Sequence, residues 1–177
     1  MKILDLGCGN KKIPGAIGID INPLSDADVI HDLNKLPYPF EDSLFDEIIA
    51  DNVLEHLDDI IKNMEELSRI SRLGARIKIV VPYFRSKWAY IDPTHRHYFT
   101  VESFAYFDPN HIICKLYKYS EVRFKVEKVI FNERLKNGVL KSALVSVANK
   151  WPARYEMYLS HLFPLDDLSF HLINLKH

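Results

Sequence analysis

Short apolar runs recur along the first half of the chain, and most of them end on an acidic residue. Ile3-Leu4-Asp5-Leu6 is apolar enough for a buried strand and runs straight into the glycine turn Gly7-Cys8-Gly9. Ile17-Gly18-Ile19-Asp20-Ile21 predicts a second strand and Val29-Ile30-His31-Asp32-Leu33 a third. Phe45-Asp46-Glu47-Ile48-Ile49-Ala50-Asp51 predicts a fourth, after a loop stiffened by Pro37 and Pro39. Leu57, Ile60, Ile61, Met64, Leu67 and Ile70 then fall at helical spacing. Asp58 is the expected N-cap or first-turn residue of that helix and Gly74 its C-cap. Residues 75–82 are a fifth strand.

The second half alternates differently. Thr100 followed by Glu102-Ser103 predicts a helix start, with Phe104 and Phe107 as its buried face. Residues 122–131 alternate apolar and charged, as a half-exposed strand should. Residues 139–163 look helical around Pro152, with Val139, Leu140, Leu144, Val147 and Trp151 as core candidates and Tyr155, Tyr158, Leu159 and Leu162 beyond. Residues 168–175 alternate again as the last strand. The pattern predicts a single α/β domain over 1–177. Its core is a Rossmann-like open sheet of about seven strands, mostly parallel, with an antiparallel C-terminal strand and a helical insertion at about 138–163.

Composition adds little except exclusions. The 177 residues are 47% hydrophobic and 27% charged, as in an ordinary globular domain. Cys8 and Cys114 lie far apart with no metal-ligand spacing, which points to a reducing compartment, the cytoplasm. No apolar run is long enough to span a bilayer, and the N-terminus reads as a strand rather than a signal peptide. Net charge is −1, but residues 1–110 carry 12 Lys+Arg against 18 Asp+Glu, and residues 111–177 carry 11 against 6. A basic half can mark an anionic partner, or the two halves can pack so that their charges mix on one surface.

The chemistry lies at the strand ends. Asp5, Asp20 and Asp32, with Asp51 and Asn52, close strands on the side where open α/β sheets bind ligands. Glycines around one small residue let a ligand lie against the backbone of the first turn. Asp20 suits the ribose hydroxyls of a nucleoside, or alternatively starts the turn at Asn22-Pro23. The run from Gly9 to Asp20 is shorter than the roughly 20 residues of a dinucleotide fingerprint, which argues against NAD.

In order and spacing, Leu4-Asp5-Leu6-Gly7-Cys8-Gly9, Gly18-Ile19-Asp20, Leu36-Pro37-Tyr38 with Phe45-Asp46-Glu47-Ile48, and Val53-Leu54-Glu55-His56-Leu57 resemble a known family. That family is the class I S-adenosylmethionine-dependent methyltransferases, in particular the methyltransferase type 11-like group, and the match covers about residues 1–85. The resemblance implies S-adenosylmethionine as cofactor and residues 1–85 as the cofactor-binding half. Asp5, Gly7, Cys8 and Gly9 would form the turn at its methionine part. Asp20, with Ile21 beside it, would bind the ribose, Asp32 and Leu33 would meet the adenine edge, and Asp51 and Asn52 would lie near the reacting centre. The usual helices before the first strand are not expected here, and the first crossover helix is nearly absent. Residues 138–163, or a second copy in a homodimer, would take over their covering role.

Residues 86–177 would be the acceptor side. The stretch 83–100 is rich in aromatic and titratable groups, and His56, Tyr83, His95, His97 and Tyr98 are the substrate-binding candidates. His95 and His97 are also the catalytic candidates, since an imidazole is poised near neutral pH. Asp92, His95 and His97 on one loop are a weak metal signature, and no metal is expected. Cys8 reads as a small turn residue rather than a nucleophile. The expected activity is methyl transfer to a small molecule. RNA or protein methylation is an alternative, although Lys and Arg form no RNA-binding cluster. A non-catalytic cofactor-binding or partner subunit is another. No membrane partner is expected.

Overall fold

The computed structural model describes residues 1–133 and 138–176. Its strands are β1 (Ile3–Leu6), β2 (Ile17–Asp20), β3 (Val29–Ile30), β4 (Phe45–Asp51), β5 (Ser71–Pro82), β6 (Phe124–Phe131) and β7 (Asp167–Asn174). They form one sheet in the order β3-β2-β1-β4-β5-β7-β6. β1 to β5 are parallel, and β7 runs antiparallel to both β5 and β6. The sequence-based expectation of seven mostly parallel strands with an antiparallel C-terminal strand therefore holds. No helix links β1 to β2, β2 to β3 or β3 to β4. No helix among the described residues is long and apolar enough to cross a membrane.

The helices are α1 (Ile60–Ile70), α2 (Trp88–Ile91), α3 (Ile112–Leu116), α4 (Val139–Lys150) and α5 (Pro152–Tyr158), with 3-10 turns at Leu54–His56 and Ala105–Phe107. α1 starts one residue later than expected, because Asp59 rather than Asp58 caps it, accepting from the Lys62 N–H at 3.0 Å. Its end is also different. The Ser71 hydroxyl donates to the Leu67 carbonyl at 2.6 Å, and the chain passes directly from helix into β5. Gly74, at φ +78°, is not the cap but lies where residues 72–75 swing out opposite Asp46, between the Phe45–Ser71 and Glu47–Arg76 pairs.

Strand register gives the sheet two unlike faces. Leu4, Leu6, Ile48, Ala50, Ile77, Ile79, Phe170 and Leu172 share one, and all are buried. Onto this face pack Phe104, edge-to-face on Phe170 at 4.7 Å, and Tyr155 of α5, on Phe131 at 4.9 Å. Buried Asn174 ties the same face to the end of α1 through the Ser68 carbonyl and the Ser71 hydroxyl. Ile3, Glu47, Ile49, Arg76, Lys78, His171 and Ile173 alternate onto the other face, and none of them is fully buried. There Glu133 joins Lys78 at 2.5 Å and His171 at 2.9 Å.

Other sequence-based expectations shift. The chain after Thr100 forms turns and a 3-10 turn instead of an α-helix, yet Phe104 and Phe107 are buried as predicted. Leu140 and Val147 of α4, Trp151 between the helices and Tyr158 of α5 are exposed, as is Leu162 beyond them. Ala148 and Tyr155 supply the core contacts. Leu144 and Leu159 are half-buried, and the Val139 side chain lies outside the description.

Candidate functional site

The turn after β1 is held by β2. The Gly7 N–H donates to the Ile19 carbonyl at 2.8 Å, and the Gly9 N–H to Asp20 Oδ2 at 2.8 Å. Gly7 sits at φ +66°, and a Cβ there would come within 2.4 Å of Val53 Cγ2, so only glycine allows this approach. Asp20 starts the turn at Asn22, its Oδ1 accepting from the Asn22 N–H at 2.8 Å, and also lines a cavity.

That cavity, of about 490 Å³, lies at the C-terminal ends of β1, β2 and β4. Gly7, Asp20, Ile21, Asp32, Leu33 and Asn52 line it, all expected cofactor residues, with Asn34, Val53, His56, Leu57, Thr94 and Arg96 completing the wall. Asn52 adopts φ +52°, which Asn tolerates better than most residues, and its amide donates to Asp51 Oδ1 at 2.9 Å. Asp5, Cys8, Gly9 and Asp51 are not lining residues. Asp5 is buried and accepts from the Ile13 N–H at 2.8 Å; burial raises its pKa, opposed by that bond and by Lys12. It buttresses the turn from behind. Burial, then the nearby Asp5 and Asp20 charges, also raises the Cys8 thiol, which disfavours its thiolate form.

A second cavity, of about 420 Å³, adjoins the first, because Asn52 and His56 belong to both walls. Glu55, Pro82, Trp88, Ile91, Asp92, His95, Asp166 and Asp167 complete it. The loop carrying His95 is pinned to the Leu54–His56 turn, since the Arg96 and His97 N–H groups both donate to the Glu55 carbonyl, at 2.7 and 3.3 Å. His95 and His56 stand edge-to-face, ring centres 4.7 Å apart.

The hydrogen bonds fix both tautomers. A carbonyl only accepts, so His95 Nδ1 carries the proton shared with Ala89 O at 3.0 Å. The Thr94 hydroxyl donates to Asp92 Oδ1 at 2.7 Å and so accepts from His56 Nδ1 at 2.9 Å. Each ring keeps the Nε2 lone pair, able to take a proton or to meet a cation. Burial, then His95, lowers the His56 pKa, with Asp92 opposing. Glu55 is 1% exposed, neither carboxylate oxygen has a hydrogen-bond partner among the described residues, and burial pushes its pKa up to about 7.

Three expected acceptor residues are elsewhere. His97 Nε2 donates to the Leu57 carbonyl at 2.8 Å, so its ring holds the loop in place. Tyr98 is stacked on Tyr90 at 4.9 Å, and with His97 it lines a different hollow. Tyr83 is wholly buried, its ring packed on Phe84 and Phe131 and its phenol pushed up to about 12, chiefly by burial. Sequence reasoning missed Glu55, Trp88, Ile91 and Thr94. The signal for Glu55 was a carboxylate inside the apolar run Val53-Leu54-Glu55-His56-Leu57.

No protein-family model matches the chain, and no curated protein matches it. Solved structures do. A SAM-dependent methyltransferase from Archaeoglobus fulgidus superposes with a TM-score of 0.57 at 20% identity, over 98% of this chain and 86% of that one. The chain has the class I methyltransferase fold. An S-adenosylmethionine-dependent methyltransferase from Mesorhizobium loti gives 0.60 at 14% identity, over 98% and 90%. A Haloferax volcanii putative methyltransferase, solved in complex with the Trm112 methyltransferase activator, gives 0.60 at 16%, over 99% and 83%. In the frame of this fold the first cavity lies beside the glycine turn and the strand-end carboxylates.

Proposed function

We propose that this protein is a cytoplasmic S-adenosylmethionine-dependent methyltransferase acting on a small molecule. The observation that carries the reading is the pair of cavities meeting at Asn52 and His56. One is built on a glycine turn and ribose-suited carboxylates, and the other is lined by two histidines, four carboxylates and the apolar side chains of Trp88 and Ile91. Two buried, unpaired cysteines fit a reducing compartment.

S-adenosylmethionine supplies an activated methyl group on a sulfonium. The protein aligns it. Asp20 has spare lone pairs beyond its two backbone bonds and receives the ribose hydroxyls. Asp32 and Leu33 border the adenine, and Gly7 lets the methionine part approach the backbone. Asn52 and His56 stand where the methyl passes between cavities. A volume of about 420 Å³ suits a small acceptor, with Trp88 and Ile91 holding its apolar part. His56 and His95 face its reacting atom. In-line alignment of this kind supplies several kcal/mol.

Calorimetric titration with S-adenosylmethionine tests the reading. The unmutated protein is expected to bind one equivalent, and Asp20→Ala at least tenfold more weakly. Failure of the unmutated protein to bind would overturn it.

A further inference from the structure

The acceptor cavity contains a feature that methyl transfer alone does not call for. Glu55, His56 and His95 place three potential donor atoms within 4.8 Å of one another. Donors about 2.1 Å from one ion are at most about 4.2 Å apart, so small side-chain rotations close the set. Glu55 is buried, and neither of its oxygens has a partner among the described residues. Leaving a carboxylate in that state is costly unless something meets it. Both imidazoles are held by their other nitrogen, one on a backbone carbonyl and one on a threonine hydroxyl that leans on Asp92. That is the outer-shell pattern that orients metal-bound histidines.

We propose that Glu55, His56 and His95 bind a divalent transition-metal ion of the zinc, manganese, iron or cobalt type on the wall of the acceptor cavity. Two imidazoles and one carboxylate suit these ions, whereas magnesium and calcium prefer all-oxygen sets. His97, which the sequence grouped with His95, is excluded because its ring holds the Leu57 carbonyl. Three protein donors leave coordination positions open toward the cavity.

The ion's role rests on the methyltransferase reading, although the site itself does not. An acceptor hydroxyl that coordinates the ion loses its proton to water more readily, because the cation stabilises the oxyanion. The oxygen's electron pair then forms the bond to the methyl carbon. The carbon–sulfur bond breaks, and its pair stays on sulfur as the neutral thioether. The acceptor class is therefore an oxygen nucleophile able to bind a metal, such as a catechol, an α-hydroxy acid or a vicinal diol.

The test is titration of chelator-treated protein with cobalt(II), followed by visible absorption. One equivalent is expected to bind, to be displaced by zinc, and to be unaffected by equal magnesium. Glu55→Gln and His95→Ala are each expected to weaken binding at least tenfold. Absence of saturable cobalt uptake, or variants that bind as tightly as the parent, would overturn the site. Circular dichroism checks folding, and if Glu55→Gln misfolds, the loop variant His95→Ala decides. Calorimetry with S-adenosylmethionine under chelator reads the cofactor cavity separately, so failure of the metal site is distinguishable from failure of the methyltransferase reading.

Discussion

At Glu55 a single carboxyl group couples the site to the stability of the fold. Its pKa is about 7 in the folded chain, above the ordinary glutamate value, because burial penalises the charge. The folded state therefore holds this proton more tightly than the unfolded one. The associated stability is full below the unfolded pKa and is lost as pH rises through about 7. In chelator, stability is expected to fall between pH 5 and pH 8, by up to about 3 kcal/mol at the upper end, with the melting temperature falling in step. Glu55→Gln, neutral throughout, should flatten that slope, and thermal melts across the range check it. Individual side chains were also where sequence reading was weakest. Asp20 and Asn52 were legible because strand ends are predictable. His95 and His97 are two positions apart, yet one lines the cavity and the other bonds a backbone carbonyl. That difference is made by the docking of the loop on Glu55, a contact between distant parts of the chain.

The elements follow the apolar pattern closely, and departures occur where a local polar contact outcompetes it. Ser71 ends α1 by bonding back to Leu67, so no glycine cap is needed. After Thr100 the hydrophobic residues are buried as expected, but the backbone satisfies itself through turns, which periodicity cannot distinguish from a helix in so short a stretch. α1 also anchors the proline loop before β4. Arg69 reaches Glu66, Asp42 and the carbonyls of Tyr38 and Phe40, while Glu66 accepts from the Tyr38 N–H at 2.6 Å. Glu66 is almost fully buried. Arg69→Met would leave that carboxylate without its cation, and urea unfolding is expected to show a loss of about 3 kcal/mol.

Across the whole molecule, the acidic first half and basic second half are parts of one sheet, with β7 seated between β5 and β6. Lys78 of the first half and Glu133 of the second pair across that division. The helices gather on one face of the sheet and leave strand ends open at one edge, where both cavities form. The seven-strand frame was legible from alternation and strand-end chemistry. The adjacency of the cavities was not, since it depends on where residues 88–97 fold back. That adjacency has a thermodynamic consequence. Asn52 and His56 are common to both walls, so an occupant that shifts either side chain alters the energy of the other compartment. Such coupling must be reciprocal: the factor by which a saturating acceptor changes cofactor affinity equals the factor in the opposite direction. Calorimetric titrations in both orders should return one shared factor, on the scale of about 1 kcal/mol or more. A factor above one would mean that each ligand tightens the binding of the other.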